Sequence, residues 1–113
     1  MHELSIALSI LDMAEEEAER RGGRIVAVHL KLGPLSGVVA RALASAYEMA
    51  REGTPLDQAE LVIEEVPIVA YCATCDVEHL PDAFDLRCPG CGAPTPTIRG
   101  GRELEIVALE IVS

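Results

Sequence analysis

Aromatic residues are scarce in this chain: one phenylalanine, two tyrosines and no tryptophan among 113 residues, namely Phe84, Tyr47 and Tyr71. Half the residues are apolar, so a core is possible, but it must be almost wholly aliphatic. Basic residues are few as well, nine Lys and Arg against nineteen Asp and Glu, for a net charge of −10. That balance excludes non-specific nucleic-acid binding, which rests on clustered cations. No apolar run approaches the ~20 residues needed to cross a bilayer. The start, Met1-His2-Glu3, has no basic stretch, so no signal peptide is expected and a soluble cytoplasmic protein is. There is neither a phosphate-cradling glycine loop nor a nucleophile–base arrangement, so the chain does not read as an enzyme. There is also no fifth cysteine.

The four cysteines present fall as two pairs, Cys72-Ala73-Thr74-Cys75 and Cys88-Pro89-Gly90-Cys91, twelve residues apart. A Cys-x-x-Cys repeated at this distance is a specific pattern for a tetrahedral thiolate metal site. Each pair turns tightly and aims two sulfurs at one ion, with Gly90 and Gly92 expected to ease the turns through positive φ. Zn²⁺ is the expected ion, with iron the alternative on thiolate softness. Two disulfides would need an oxidising compartment, and a redox motif would usually be single. With all four positions taken by sulfur the site is closed, and therefore structural rather than catalytic.

The rest of the chain reads as a small α+β unit into which this module is inserted. Residues 4–21 look like an amphipathic helix, with Ile6, Ile10, Met13, Ala14 and Ala18 near helical spacing and Gly22-Gly23 as the stop. Residues 24–32 alternate as a strand closed by Gly33-Pro34. A second helix is expected over about 38–52, opened by Ser36 or Gly37, with Val39, Leu43, Tyr47 and Ala50 as its buried stripe. Residues 60–66 form a second strand. Residues 71–91 carry the metal, and 93–101, rich in Pro, Thr and Gly, look like a linker. Residues 103–112 return to strand composition without clean alternation, which indicates either two covered faces or a bulge. The expected architecture is two helices packed on a small three-stranded sheet, with an inserted zinc-ribbon-like module of four cysteines. Residues 1–67 plus 103–113 would form one unit and 68–102 the other.

The amino terminus is a second candidate site. The α-amine, the His2 backbone nitrogen and the His2 imidazole close two fused chelate rings, of five and six members. A deprotonated amide nitrogen favours square-planar Ni²⁺ or Cu²⁺ over Zn²⁺ or Mg²⁺, and Glu3 could add an amide nitrogen or a carboxylate. On the residues alone, a histidine at position 2 is more simply an exposed group on a frayed end. His29 reads as a half-exposed strand residue beside Lys31. His79, between the cysteine pairs, reads as solvated or as a neighbour of the metal shell.

Taken together, Met1-His2-Glu3-Leu4-Ser5-Ile6 at the start, Gly33-Pro34-Leu35-Ser36-Gly37-Val38 after the first strand, Gly53-Thr54 after the second helix, and Cys-x-x-Cys followed by Cys-Pro-x-Cys-Gly resemble the HypA/HybF family. The resemblance covers essentially the whole chain, and the opening hexapeptide is its most specific part. These are nickel metallochaperones of [NiFe]-hydrogenase maturation. The resemblance implies Ni²⁺ carried as cargo at the position of His2, with Met1 and Glu3 contributing around it, and structural Zn²⁺ held by Cys72, Cys75, Cys88 and Cys91. It also implies two partners, a maturation GTPase and the hydrogenase large subunit. One departure is visible: Val39-Ala40 stands where the family commonly has an acidic residue followed by proline. Because an imidazole must shed its proton to bind, nickel affinity is expected to fall towards pH about 6. Two other functions fit the residues alone. One is a zinc-ribbon adaptor binding proteins through acidic helix faces. The other is an iron–thiolate electron carrier, which would be red where a zinc protein is colourless.

Overall fold

Helix α1, Glu3–Arg21, ends as its last residues predict: Gly22 enters the left-handed region at φ 69°, and its N–H donates to Ala18 O at 2.8 Å. Arg20 and Arg21 pair back to Glu17 at 3.3 and 2.9 Å. Strand β1, Arg24–Leu32, follows at the predicted residues and leads into a short 3-10 turn, Pro34–Ser36, that the sequence pattern does not separate from the next helix. Helix α2, Ala40–Ala50, then crosses over to β2, Glu60–Glu65. The cysteine module contributes β3, Val69–Cys72, β4, Val77–His79, and β5, Thr97–Gly100, before β6, Leu104–Val112, returns to the first sheet. The fold is a computed structural model that describes residues 2–82 and 85–113; Met1, Ala83 and Phe84 lie outside the described residues.

The described residues form two three-stranded sheets, ordered β2-β1-β6 and β4-β3-β5. In the first, β1 is central, parallel to β2 and antiparallel to β6. Both helices cover one face of it, as expected for this α+β fold. Ala7, Ile10, Leu11 and Ala14 of α1 and Leu43 and Tyr47 of α2 meet Val28, Leu30 and Leu32 of β1. The Tyr47 hydroxyl is buried with them and donates to Ala59 O at 3.0 Å, so this aromatic carries no unsatisfied polar group into the core.

The broken alternation of β6 is a bulge. His29 pairs with Ala108 and Leu30 with Ile106, so Val107 is the extra residue. The slip returns Leu109 and Ile111 to the face already occupied by Leu104 and Ile106, and all four pack on the core. Three expectations are corrected. Met13 is 58% exposed, because the buried stripe of α1 turns toward α2 and leaves Met13 at the rim beside β6. Val39 is 62% exposed, because it caps α2 rather than lying in it. Residues 93–101 are not merely a linker, since Thr97–Gly100 pairs with β3.

The two sheets meet at a seam. Gly33 N–H donates to Glu103 O at 2.8 Å and Leu35 N–H to Gly101 O at 2.7 Å. Gly101 sits at φ 117°, and a Cβ there would lie 2.9 Å from Ile68 Cα. A Cβ on Gly33 would collide with the Gly101 carbonyl.

Candidate metal centres

The four cysteine sulfurs converge, each within 4.8 Å of the others. Two tight turns place them. Cys75 N–H points at Cys72 Sγ at 3.4 Å, and Gly92 N–H donates to Cys88 O at 2.8 Å. In both turns the residue after the second cysteine is left-handed, Asp76 at φ 53° and Gly92 at φ 72°. Gly90, expected to supply positive φ, does not; the left-handed position lies two residues later. Asp76 is held there by Tyr71, whose hydroxyl donates to Asp76 Oδ1 at 2.5 Å. The first cysteine of each pair, Cys72 and Cys88, is buried, and the second, Cys75 and Cys91, is exposed.

The donor set fits a tetrahedral ion. A metal–sulfur bond of about 2.3 Å sets sulfurs about 3.8 Å apart along a tetrahedron's edge. The observed Cys72–Cys91 and Cys88–Cys75 separations are 3.6 and 4.0 Å, far beyond a disulfide's ~2.05 Å. Protonation points the same way. Backbone N–H groups of Cys91 and then Gly90 pull the Cys88 thiol down to about 7. Hydrogen bonding to Cys91, Cys72 and Cys88 pushes Cys75 up to about 12. The turns stabilise one thiolate, and a second beside it needs a cation. His79 is not among the four: its Nε2 lies 3.2 Å from Thr95 Oγ1, and Thr95 in turn donates to Leu86 O.

At the amino terminus, His2 is the exposed N-cap of α1, extended at φ −83° and ψ 110°, and its side chain does not cap the helix. The first intrahelical bond runs from Ile6 N–H to His2 O at 3.2 Å. The N–H groups of His2 and Glu3 therefore stand outside the helical ladder, as the opening amides of a helix must. Met1, the third expected contributor, lies outside the described residues. His2 and Glu3 stand together, whereas His29 lies apart on β1, where Nε2 meets Glu110 Oε1 at 2.8 Å. Sequence reasoning misses a groove of about 680 Å³ that opens beside His2, lined by Ser5, Ile6, Met13, Ile106 and Glu105 among others. Ser5 and Ser9, four apart on α1, are the trace it leaves in the sequence; its far wall belongs to a strand about a hundred residues away.

Residues 1–111 match the family model described as HypA, hydrogenase/urease nickel incorporation, metallochaperone. Proteins named hydrogenase maturation factor HypA from Roseiflexus sp. (strain RS-1) and Chloroflexus aggregans are each 53% identical over 112 residues. Those alignments take in 97% of this chain, and 91% and 98% of the respective relatives. The solution structure of the Ni metallochaperone HypA from Helicobacter pylori superposes with a TM-score of 0.68 at 28% identity, covering 100% of this chain and 99% of that one. By sequence and by fold, the chain belongs to the HypA family of hydrogenase/urease nickel incorporation metallochaperones.

Proposed function

We propose that this protein carries Ni²⁺ at its amino terminus, through His2 with Met1 and Glu3, and delivers it to a [NiFe]-hydrogenase large subunit together with a maturation GTPase. Zn²⁺ held by Cys72, Cys75, Cys88 and Cys91 is structural, and the protein is a cytoplasmic carrier rather than a catalyst. The observation that carries the reading is the start of α1. Helix bonding begins at Ile6 N–H, so the His2 and Glu3 amides are free to lose their protons to a metal that rewards planar nitrogen donors. The four-sulfur cluster supports the zinc assignment, and the hydrogenase maturation factor names of the relatives support the client. The helix itself works against the cargo, because its positive end disfavours a dication. Glu3 opposes that effect. The balance suits an ion that must be held selectively and then surrendered.

The same reading assigns nickel handling to residues 1–67 plus 103–113 and zinc to 68–102. Separate strand orders and a core cluster drawn from the first group support this division. Calorimetric Ni²⁺ titration of the chain, beside a form with one glycine added before Met1, tests the function. One nickel per chain, lost or much weakened by the added residue, is expected. Equal binding by both forms would move the nickel to His29, His79 or the cysteines. No binding by either would leave a zinc-ribbon adaptor.

A further inference from the structure

Strand β6 is the outer strand of its sheet, and among the described residues nothing pairs with its second edge. Alongside that edge the α1 flank leaves a continuous trough. The groove that begins at His2 shares Met13 and Ile106 with a second cavity of about 730 Å³, which runs on past Val107 and Leu109 to Ile111. The trough therefore follows β6 nearly end to end; its His2 half is floored by Ile6, Ile10 and Met13, and its far half is lined also by the paired Glu17 and Arg21. An unpaired strand edge offers a row of free N–H and C=O groups. Along the half beside His2 it stands over an apolar floor, which is the arrangement that takes up an added strand.

The two sides of β6 differ, and the difference specifies the occupant. Leu104, Ile106, Leu109 and Ile111 face the helices. On the opposite, uncovered face, register places Glu105 beside Lys31, Ala108 beside His29 and Glu110 beside Ala27, with Glu60 and Glu64 beyond on β2. His29 engages Glu110, and the permanent cations of that face of β1 are Lys31 and, at the strand's start opposite Val112, Arg24. A strand added to β6 would point alternate side chains into the apolar trough and the others at Glu105 and Glu110. We infer that the β6 edge is the docking surface for an extended segment of a partner protein that alternates apolar and basic residues, laid along the trough so that one end reaches His2. A second copy of this chain is the poorer occupant. It brings another ten net negative charges and sets its own Glu105 and Glu110 on the same face of the shared sheet.

The inference rests on the proposed nickel site only for its use: a segment docked here brings its own donor atoms beside the cargo. The test is made without nickel, so its failure is separate from any failure of nickel binding. The probe is a labelled nonapeptide of alternating lysine and valine with blocked ends, titrated into the full chain by fluorescence anisotropy. Saturable binding is expected. It should weaken at least about tenfold in a Glu105→Lys/Glu110→Lys chain, and weaken with added salt. It should be abolished when alternate peptide nitrogens are methylated, and it should slow amide exchange along β6. Equal binding by the methylated peptide, or by one of the same composition with lysines and valines in separate blocks, would reduce the surface to mere charge and overturn the inference. So would absence of binding. So, too, would a dimer in sedimentation that the double reversal dissociates, since the edge would then belong to a second copy.

Discussion

Cys75 and Cys88 occupy equivalent-looking places in the cysteine cluster yet hold their protons very differently. Cys88 receives backbone N–H groups from its own turn and titrates near 7; Cys75 faces the other sulfurs and is pushed up to about 12. In the metal-free chain the depressed Cys88 favours folding above its unfolded value near 9, and that contribution disappears as pH falls through about 7. The raised Cys75 acts oppositely: its contribution is present below about 9 and is lost as pH rises towards 12. A zinc ion must displace the protons that the cluster retains, so zinc affinity should fall with decreasing pH, by about tenfold per unit for each proton released. Competition with a chromophoric chelator between pH about 8 and about 6 measures this, and a flat profile would contradict a thiolate site. Cys75→Ala removes one donor of four. Zinc retained at one per chain with unchanged stability would refute the four-sulfur assignment; loss of the ion and of order in β3–β5 is expected.

The seam between the sheets makes a sharper claim on individual backbone positions than either sheet does. Gly101 combines φ 117° with a neighbouring Cα that a methyl group would approach to 2.9 Å, so Gly101→Ala adds strain and a clash at once. A loss of about 2 kcal/mol or more is expected, judged by the cost of a disfavoured backbone conformation alone. Urea unfolding measures it, and an unshifted midpoint would mean that the seam yields freely. None of this was legible in the sequence, where Gly100-Gly101 reads as part of a linker or loop. What was legible is local. The cysteine spacing sets its own turns, and the alternation of β1 marks a strand whose limits agree with the fold to the residue. Patterns that depend on a distant partner went astray. Met13 and Val39 sit at helical spacing with the core residues, but α1 turns its small residues to α2, and α2 begins one residue after Val39. Strand β5 has no alternation to betray it, since its order comes from pairing with β3 beside the metal turns. The irregular pattern of β6 was informative in itself, because the slip at Val107 is the bulge that keeps both halves of the strand on the core.

The molecule is long for its size. Its radius of gyration is 17.5 Å and its extents are 53 × 25 × 15 Å, whereas a compact domain of this length would have a radius of about 13 Å. The apolar cluster draws on α1, β1, α2, β2, β6 and the segments before and after α2, and on none of the described residues between β2 and β6. The stretch from Val69 to Gly100 therefore has little to hold it apart from its own pairing, the buried Ala70, Cys72, Cys88 and Thr95, and the ion. A structural zinc contributes on the order of 10 kcal/mol to such a module, as much as the whole stability of many domains. Removing it with a strong chelator should free the amides of β3, β4 and β5 to exchange while those of β1 and α1 stay protected. The amides of Gly33 and Leu35 should show an intermediate response, because their acceptors, Glu103 O and Gly101 O, lie on the chain leaving the module. Hydrogen exchange of the native and chelator-treated protein distinguishes two arrangements. Protection lost only in the module and graded across the seam means that the cysteine module can loosen while the helix-bearing unit stays folded. Protection lost in β1 and α1 as well would mean that the ion stabilises the entire chain as one cooperative unit, and that the division at residues 67 and 103 has no thermodynamic meaning.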